Sequence, residues 1–145
     1  GVKPGFGASF GSTTWVNRPM GHVDFQKLKA FCEAVCRCNP EVAWIAVGDR
    51  QGLELVATGR ISAPGVRDAP ALAESVHAAG NKLMHACDLG SFDTMVMTGT
   101  RGYLMVMPLG ELGILTVQTA PPPVAFSTIR GDIEWLRLRI SELFV

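Results

Sequence analysis

Hydrophobic positions along the chain change period several times, and each change marks an element. Phe25, Leu28, Phe31, Cys32, Val35 and Cys36 fall on one side of a helical wheel, with Gln26, Lys27, Lys29, Glu33 and Arg37 mostly on the rest. This spacing predicts a helix from Val23 that stops at Asn39-Pro40, because the residue before a proline is pushed out of the helical region. From Val42 the period is lost. Val-Ala-Trp-Ile-Ala-Val is continuously apolar, as in a strand buried on both faces. Asp49-Arg50-Gln51-Gly52 makes a turn, and Leu53 to Thr58 returns as a second strand. Gly59 to Asp68 reads as a loop. A second helix then runs from Ala69 or Pro70 to about Cys87, with Asp68 placed to cap it.

The stretch from Phe92 to Thr119 carries three short apolar runs, Phe92–Thr98, Tyr103–Met107 and Ile114–Thr119, separated by glycine-bearing turns. Such a pattern predicts a three-stranded antiparallel meander. Tyr103–Met107 does not alternate, so helices are expected above and below the sheet. Pro121-Pro122-Pro123 delay the last helix to about Phe126–Phe144, where Ile129, Ile133, Leu136, Ile140 and Leu143 give a stripe.

The second helix is apolar or small around most of its circumference, which predicts burial on more than one side. Leu72, Val76, Ala79, Leu83 and Ala86 form the stripe expected to pack on the sheet. Ala71, Ser75 and Ala78, extended by Lys82, form a small-residue stripe expected to meet a second protomer. Ala73, His77, Gly80 and Met84 line a third side, expected to receive a further partner. Gly80 inside a helix costs about 1 kcal/mol relative to alanine, which points to a packing reason for it.

Composition adds modest bounds. The 145 residues make one domain, with 48% hydrophobic and 18% charged residues and a formal net charge of +0. That balance gives no electrostatic case for nucleic acid or an anionic membrane surface. No apolar run approaches the roughly 18 residues of a membrane span, and a soluble cytoplasmic protein is expected. Residues 1–22 differ from 23–145: glycines at 1, 5, 7, 11 and 21 mark an N-terminal arm, within which Met20 is a candidate initiator. Its Gly5-Phe6-Gly7-Ala8-Ser9-Phe10-Gly11 is a GxGxxxG spacing, without the strand and helix that a nucleotide-binding loop requires.

Candidate chemistry is sparse. Cys32 and Cys36 lie one helical turn apart on an apolar face, which favours buried thiols over metal ligands. Cys38 and Cys87 complete no ligand set. His77 and His85 are eight apart on one helix, the wrong spacing for a shared metal. No nucleophile elbow or phosphate loop is present, so neither catalysis nor a cofactor is expected. Met95, Met97, Met105 and Met107 read as core filler or a plastic interface rather than a ligand pocket.

The helix and strand order, the stretch Phe-Asp-Thr-Met-Val-Met-Thr-Gly-Thr-Arg-Gly-Tyr-Leu-Met-Val-Met-Pro-Leu-Gly and the small-residue second helix together resemble the Roadblock (dynein light chain) superfamily, above all its bacterial and archaeal members. The resemblance covers about Val23 to Val145. It implies an α/β/α sandwich around a five-stranded, mostly antiparallel sheet in the order αββαβββα, akin to longin and profilin folds. It also implies a homodimer or a pairing with a related Roadblock protein, and a Ras-like small GTPase as partner.

Simple dimensions independently favour a dimer. If the first and last helices share one face, as the resemblance implies, the second helix alone covers the other. A helix is about 10 Å across, whereas five strands at about 4.8 Å span roughly twice that. Phe92–Thr98 would be an edge with no proline or lysine to blunt it, so Thr94, Met95, Val96 and Met97 join the expected dimer contact. Two function classes follow: a non-enzymatic GTPase regulator or scaffold, and a small-molecule sensor of the GAF or PAS kind. The first expects a filled core with apolar helix surface outside. The second expects a cavity with converging polar groups.

Overall fold

The computed structural model describes residues 24–60, 68–110, 113–120 and 126–143, the side chains of 126–128 excepted. The glycine-rich arm falls outside these residues. The elements are α1 (Phe25–Cys38), β1 (Val42–Asp49), β2 (Glu54–Gly59), α2 (Ala69–Ala86), β3 (Met95–Gly99), β4 (Gly102–Pro108), β5 (Gly113–Thr119) and α3 (Phe126–Leu143). This is the αββαβββα order that the periodicity predicts.

The strands form one sheet in the order β2-β1-β5-β4-β3, and every neighbouring pair is antiparallel. β5 is therefore central and β3 is an edge. Alternate residues point to opposite faces. Ile45, Val47, Met105, Met107, Leu115 and Val117 join Leu28 and Cys32 of α1 and Ile129, Ile133, Leu136 and Ile140 of α3 in the larger core. On the other face Val106 and Ile114 join Ala73 of α2 and Phe92 in a much smaller one. The sandwich is thus lopsided, with two helices on one side and one on the other.

Local chemistry sets the helix ends. The Asp24 carboxylate accepts from the Lys27 backbone N–H at 3.0 Å, capping α1 one residue before Phe25, which is exposed rather than buried as its apolar spacing predicts. At the other end Asn39 donates from its amide to the Val35 carbonyl and to the Asp132 carboxylate, joining α1 to α3. Arg60 turns back from the end of β2 and donates to the carbonyls of Cys36, Asn39 and Val42, satisfying acceptors that a helix terminus leaves bare. Asp68, predicted to cap α2, makes no capping hydrogen bond. Its backbone is already helical, so its carboxylate is not set over the N–H groups of the first turn. β2 begins at Glu54, leaving Leu53 exposed before it. β3 begins at Met95, and Phe92 is buried ahead of the strand.

Candidate interaction surface

The face that α2 turns to the sheet is not the one its large residues predict. Ala73 and Gly80 are buried, and His77 stacks edge-on against Phe92 with ring centroids 5.3 Å apart. A Cβ at Gly80 would lie 2.5 Å from the Phe92 ring, so only glycine lets the helix come this near. The stripe assigned above to a further partner, Ala73, His77, Gly80 and Met84, is therefore the stripe that rests on the sheet side. Ala73 and Gly80 are closed to any partner, and Met84 and His77 keep only part of their surface. Conversely Leu72 and Leu83, expected in the core, are each 63% exposed. Val76 between them is half-buried and Ala79 is exposed. The physical reason is distance: a helix seated close on a sheet needs small residues beneath it, and bulky ones are displaced to its flank.

That flank overhangs a part of the sheet α2 does not cover. Trp44, Gln118, Leu104 and Met97 are cross-strand neighbours in one row through β1, β5, β4 and β3. Between this row and Leu72, Ala73 and Val76 lies a groove of about 400 Å³. Its walls are nearly all apolar. The Trp44 indole N–H donates to the Gln118 side-chain oxygen, which closes one end with a matched polar pair. Thr116 is the other polar residue of the lining. Nothing in the periodicity of β1 or β5 signalled this groove. The two leucines were the available sign, since both stand on the same edge of the helical wheel.

Ala71, Ser75, Ala78 and Lys82, the stripe expected at the dimer contact, are exposed on the side of α2 that points away from the sheet. Of the predicted edge residues, Thr94, just ahead of β3, and Met95 are partly buried, whereas Val96 and Met97 are exposed. Met95 and Met97 point to the α2 face, and Val96 points to the α1/α3 face. The outer edge of β3 has no partner strand among the described residues. Arg137 holds the approach to β3 in place: it donates to the Pro108 carbonyl at 3.2 Å and pairs with Asp93 at 3.1 Å. Asp93 has its carboxyl held below the usual range by the Thr94 hydroxyl and by Arg137.

Cys32 and Cys36 are buried, and Cys38 and Cys87 are exposed. Burial, with Cys36 and Glu33 nearby, pushes the Cys32 thiol up to about 12, and burial raises Cys36 as well. Iodoacetamide at pH 8 is accordingly expected to label Cys38 and Cys87 in the native protein, and Cys32 and Cys36 only after denaturation. Mass spectrometry of the labelled peptides reads this directly, and native labelling of Cys32 would contradict its burial. The fold accepts the neutral thiol, so this contribution to stability holds below about pH 9 and is lost as pH rises toward 12. Among the described residues no three His, Cys, Asp or Glu side chains gather as a metal site, and no helix is long and apolar enough to cross a membrane.

A single helix under-covering one face of a five-stranded antiparallel sheet, with two helices on the other, is the Roadblock/LC7 fold. Solved structures agree. The chain is similar to Myxococcus xanthus MglB, with a TM-score of 0.75, 16% identity and coverage of 83% of this chain and 97% of that one. It is similar to an MglB with a tetrameric arrangement, at TM-score 0.71 and 19% identity over 91% of this chain and 94% of that one. A Roadblock/LC7 domain from Streptomyces avermitilis superposes at 0.69, with 16% identity over 79% of this chain and 94% of that one. No family model and no curated protein matches the chain.

Proposed function

We propose that this chain is a non-enzymatic regulator or scaffold of a Ras-like small GTPase that works as a dimer in the cytoplasm. The observation that carries the reading is the run of exposed apolar side chains, Leu72, Ala79, Leu83 and Met97, beside a half-covered sheet and a β3 edge with no partner strand among the described residues. Apolar surface of this extent marks an interaction site. A two-fold axis perpendicular to the sheet pairs β3 antiparallel with its mate, continues the sheet, and sets the two α2 helices side by side. The leucine flank of each then has an apolar groove to enter. The dimer contact thereby includes Leu72, Val76 and Leu83 together with Thr94, Met95, Val96 and Met97.

In such a dimer Ala71, Ser75, Ala78 and Lys82 face outward from the paired helices. We assign this surface to the GTPase, whose identity as a class comes from the Roadblock resemblance and from the likeness to MglB. A helper of hydrolysis would act by holding the switch segments in order, since spacing assigns no arginine as a finger. Titration calorimetry with Ras-like GTPases of the same genome tests this. The expected result is binding that differs at least tenfold between the GTP-analogue and GDP forms, and is lost in Ala78→Glu while the dimer persists. Equal affinity for both forms would remove the switch-reading role.

The apolar groove supports a second reading, a small-molecule sensor. Its volume is sufficient, yet only Thr116 and Gln118 bring polar groups, and the Gln118 oxygen already serves Trp44. A monomer that retains an apolar ligand in native mass spectrometry would favour it.

A further inference from the structure

We propose that Asp93 and Arg101 let β3 select a second copy of this chain: they flank the strand at equal distances and set its pairing register on Met97. The inference rests on the β3-paired dimer above and names the partner strand that fits it. β3 holds 5 residues, Met95–Gly99, so Met97 is its midpoint. Asp93 lies as far before Met97 as Arg101 lies after it. An antiparallel pair centred on Met97 therefore brings each Asp93 opposite the mate's Arg101. The acid of each copy meets the base of the other at both ends of the seam.

Symmetry leaves few competing registers. A two-fold axis perpendicular to the sheet keeps every side chain on its own face, and residues directly opposite in a ladder share a face. The centre therefore falls on a residue and not between two. Centring on Val96 or Thr98 opposes only the residues from Met95 to Met97, or from Met97 to Gly99, whereas centring on Met97 opposes the whole strand. Centring on Thr98 also sets Arg101 against the mate's Met95, which packs in the apolar cluster under α2. Centring on Val96 sets Asp93 against a glycine.

Both charges are presented for this use. Arg137 donates to the Asp93 carbonyl at 3.3 Å and to its carboxylate at 3.1 Å, which fixes the residue while its side chain stays 76% exposed. Arg101 is exposed at the tip of the Gly99–Gly102 hairpin, and among the described residues no carboxylate forms an ion pair with it. Exposed ion pairs add little affinity, but like charges set opposite one another disfavour a pairing. The effect of the two residues is to reject strands whose ends do not match.

Two measurements test this. In a Cys38→Ser, Cys87→Ser background, which removes the exposed thiols, Met97→Cys, Val96→Cys and Thr98→Cys are each oxidised mildly and followed on non-reducing gels. Met97 opposes its own mate at a Cα separation of about 4.5–5.5 Å, within disulfide range, whereas Val96 and Thr98 lie a diagonal step of about 7–8 Å from theirs. Met97→Cys is expected to cross-link at least about tenfold faster. Cross-linking of either other variant that is as fast or faster overturns the register and leaves the dimer standing. In the second measurement Asp93→Arg and Arg101→Asp, each self-repelling at the seam, are expected to weaken self-association about tenfold. Mixed one to one they match acid to base at both ends and recover wild-type affinity in sedimentation; no recovery overturns the selection. The cross-linking arm keeps Asp93 and its tie to Arg137, so it reads the register even where Asp93→Arg does not fold. A wild-type chain that stays monomeric at high micromolar concentration removes the dimer itself, and the register with it.

Discussion

Leu83→Asp is expected to turn the proposed dimer into folded monomers. Leu83 is 63% exposed in the single chain, so an aspartate there meets water and little else. Substitutions at such positions usually change protomer stability by no more than about 0.5 kcal/mol. In the proposed dimer the same side chain would be carried into an apolar groove, where an unpaired carboxylate is heavily penalised or must be neutralised. Two-fold symmetry applies that penalty twice. A few kcal/mol in total raises the dissociation constant at least about 100-fold. Light scattering should report the monomer mass at micromolar concentration, while circular dichroism and the urea midpoint stay near wild type. Ala78→Glu, on the outward side of the same helix, should leave the dimer intact. The reverse outcome, a dimer that survives Leu83→Asp and breaks with Ala78→Glu, would restore the small-residue stripe as the contact.

That pair of variants isolates what sequence alone does and does not specify about α2. Its existence and span were legible, because proline at the first turn and sixteen further residues of helical composition leave little choice. Its rotation about its own axis was not. Periodicity locates apolar stripes, and α2 has several, so the largest hydrophobes were assigned inward by default. The deciding quantity is how closely the helix approaches the sheet. Gly80 against the Phe92 ring sets that distance, and Phe92 comes from a segment outside any regular element. Once the approach is that close, Ala73 fits beneath the helix and Leu72 and Leu83 do not. Gly80 was therefore the informative residue, and a helical glycine that costs stability locally is better read as marking the buried face than as part of a free one.

The α1/α3 face was legible for the opposite reason. Ile129, Ile133, Leu136 and Ile140 are the dominant stripe of α3, and Leu28, Cys32, Val35 and Cys36 that of α1, so large residues and core coincide. The strands were legible wherever both faces are buried, as at Val42–Val47 and Met105–Met107. What no periodicity conveys is strand order. The sheet runs β2-β1-β5-β4-β3 because β5 returns past β4 to lie beside β1, and that crossover sets β3 at the edge with apolar residues on both faces. The meander predicted from Phe92–Thr119 follows from local turns. The row Trp44, Gln118, Leu104 and Met97, which floors the groove, exists only through the long-range pairing of β1 with β5.

That same β1–β5 pairing makes Gly113 the position where the smallest substitution should do the most harm. Gly113 faces Asp49 in register, and its carbonyl accepts from the Leu109 N–H at 2.8 Å, so its backbone is held on both sides. A Cβ there would lie 2.1 Å from the Gly48 carbonyl oxygen and 3.3 Å from the Asp49 Cα. Both are backbone atoms of a ladder next to the central strand, and neither can turn aside as a side chain does. Overpacking that side chains can absorb costs about 1–3 kcal/mol. Gly113→Ala must move one strand against the other, and about 3 kcal/mol or more is expected, a large part of the 5–15 kcal/mol typical of a domain. Gly131→Ala is the matched control. A Cβ at Gly131, in the exposed side of α3, meets nothing within 4 Å, so alanine should stabilise by up to about 1 kcal/mol through helix propensity. Urea unfolding of the two variants should therefore shift in opposite directions, and a Gly113→Ala protein as stable as wild type would show that β1 and β5 do not approach in this way.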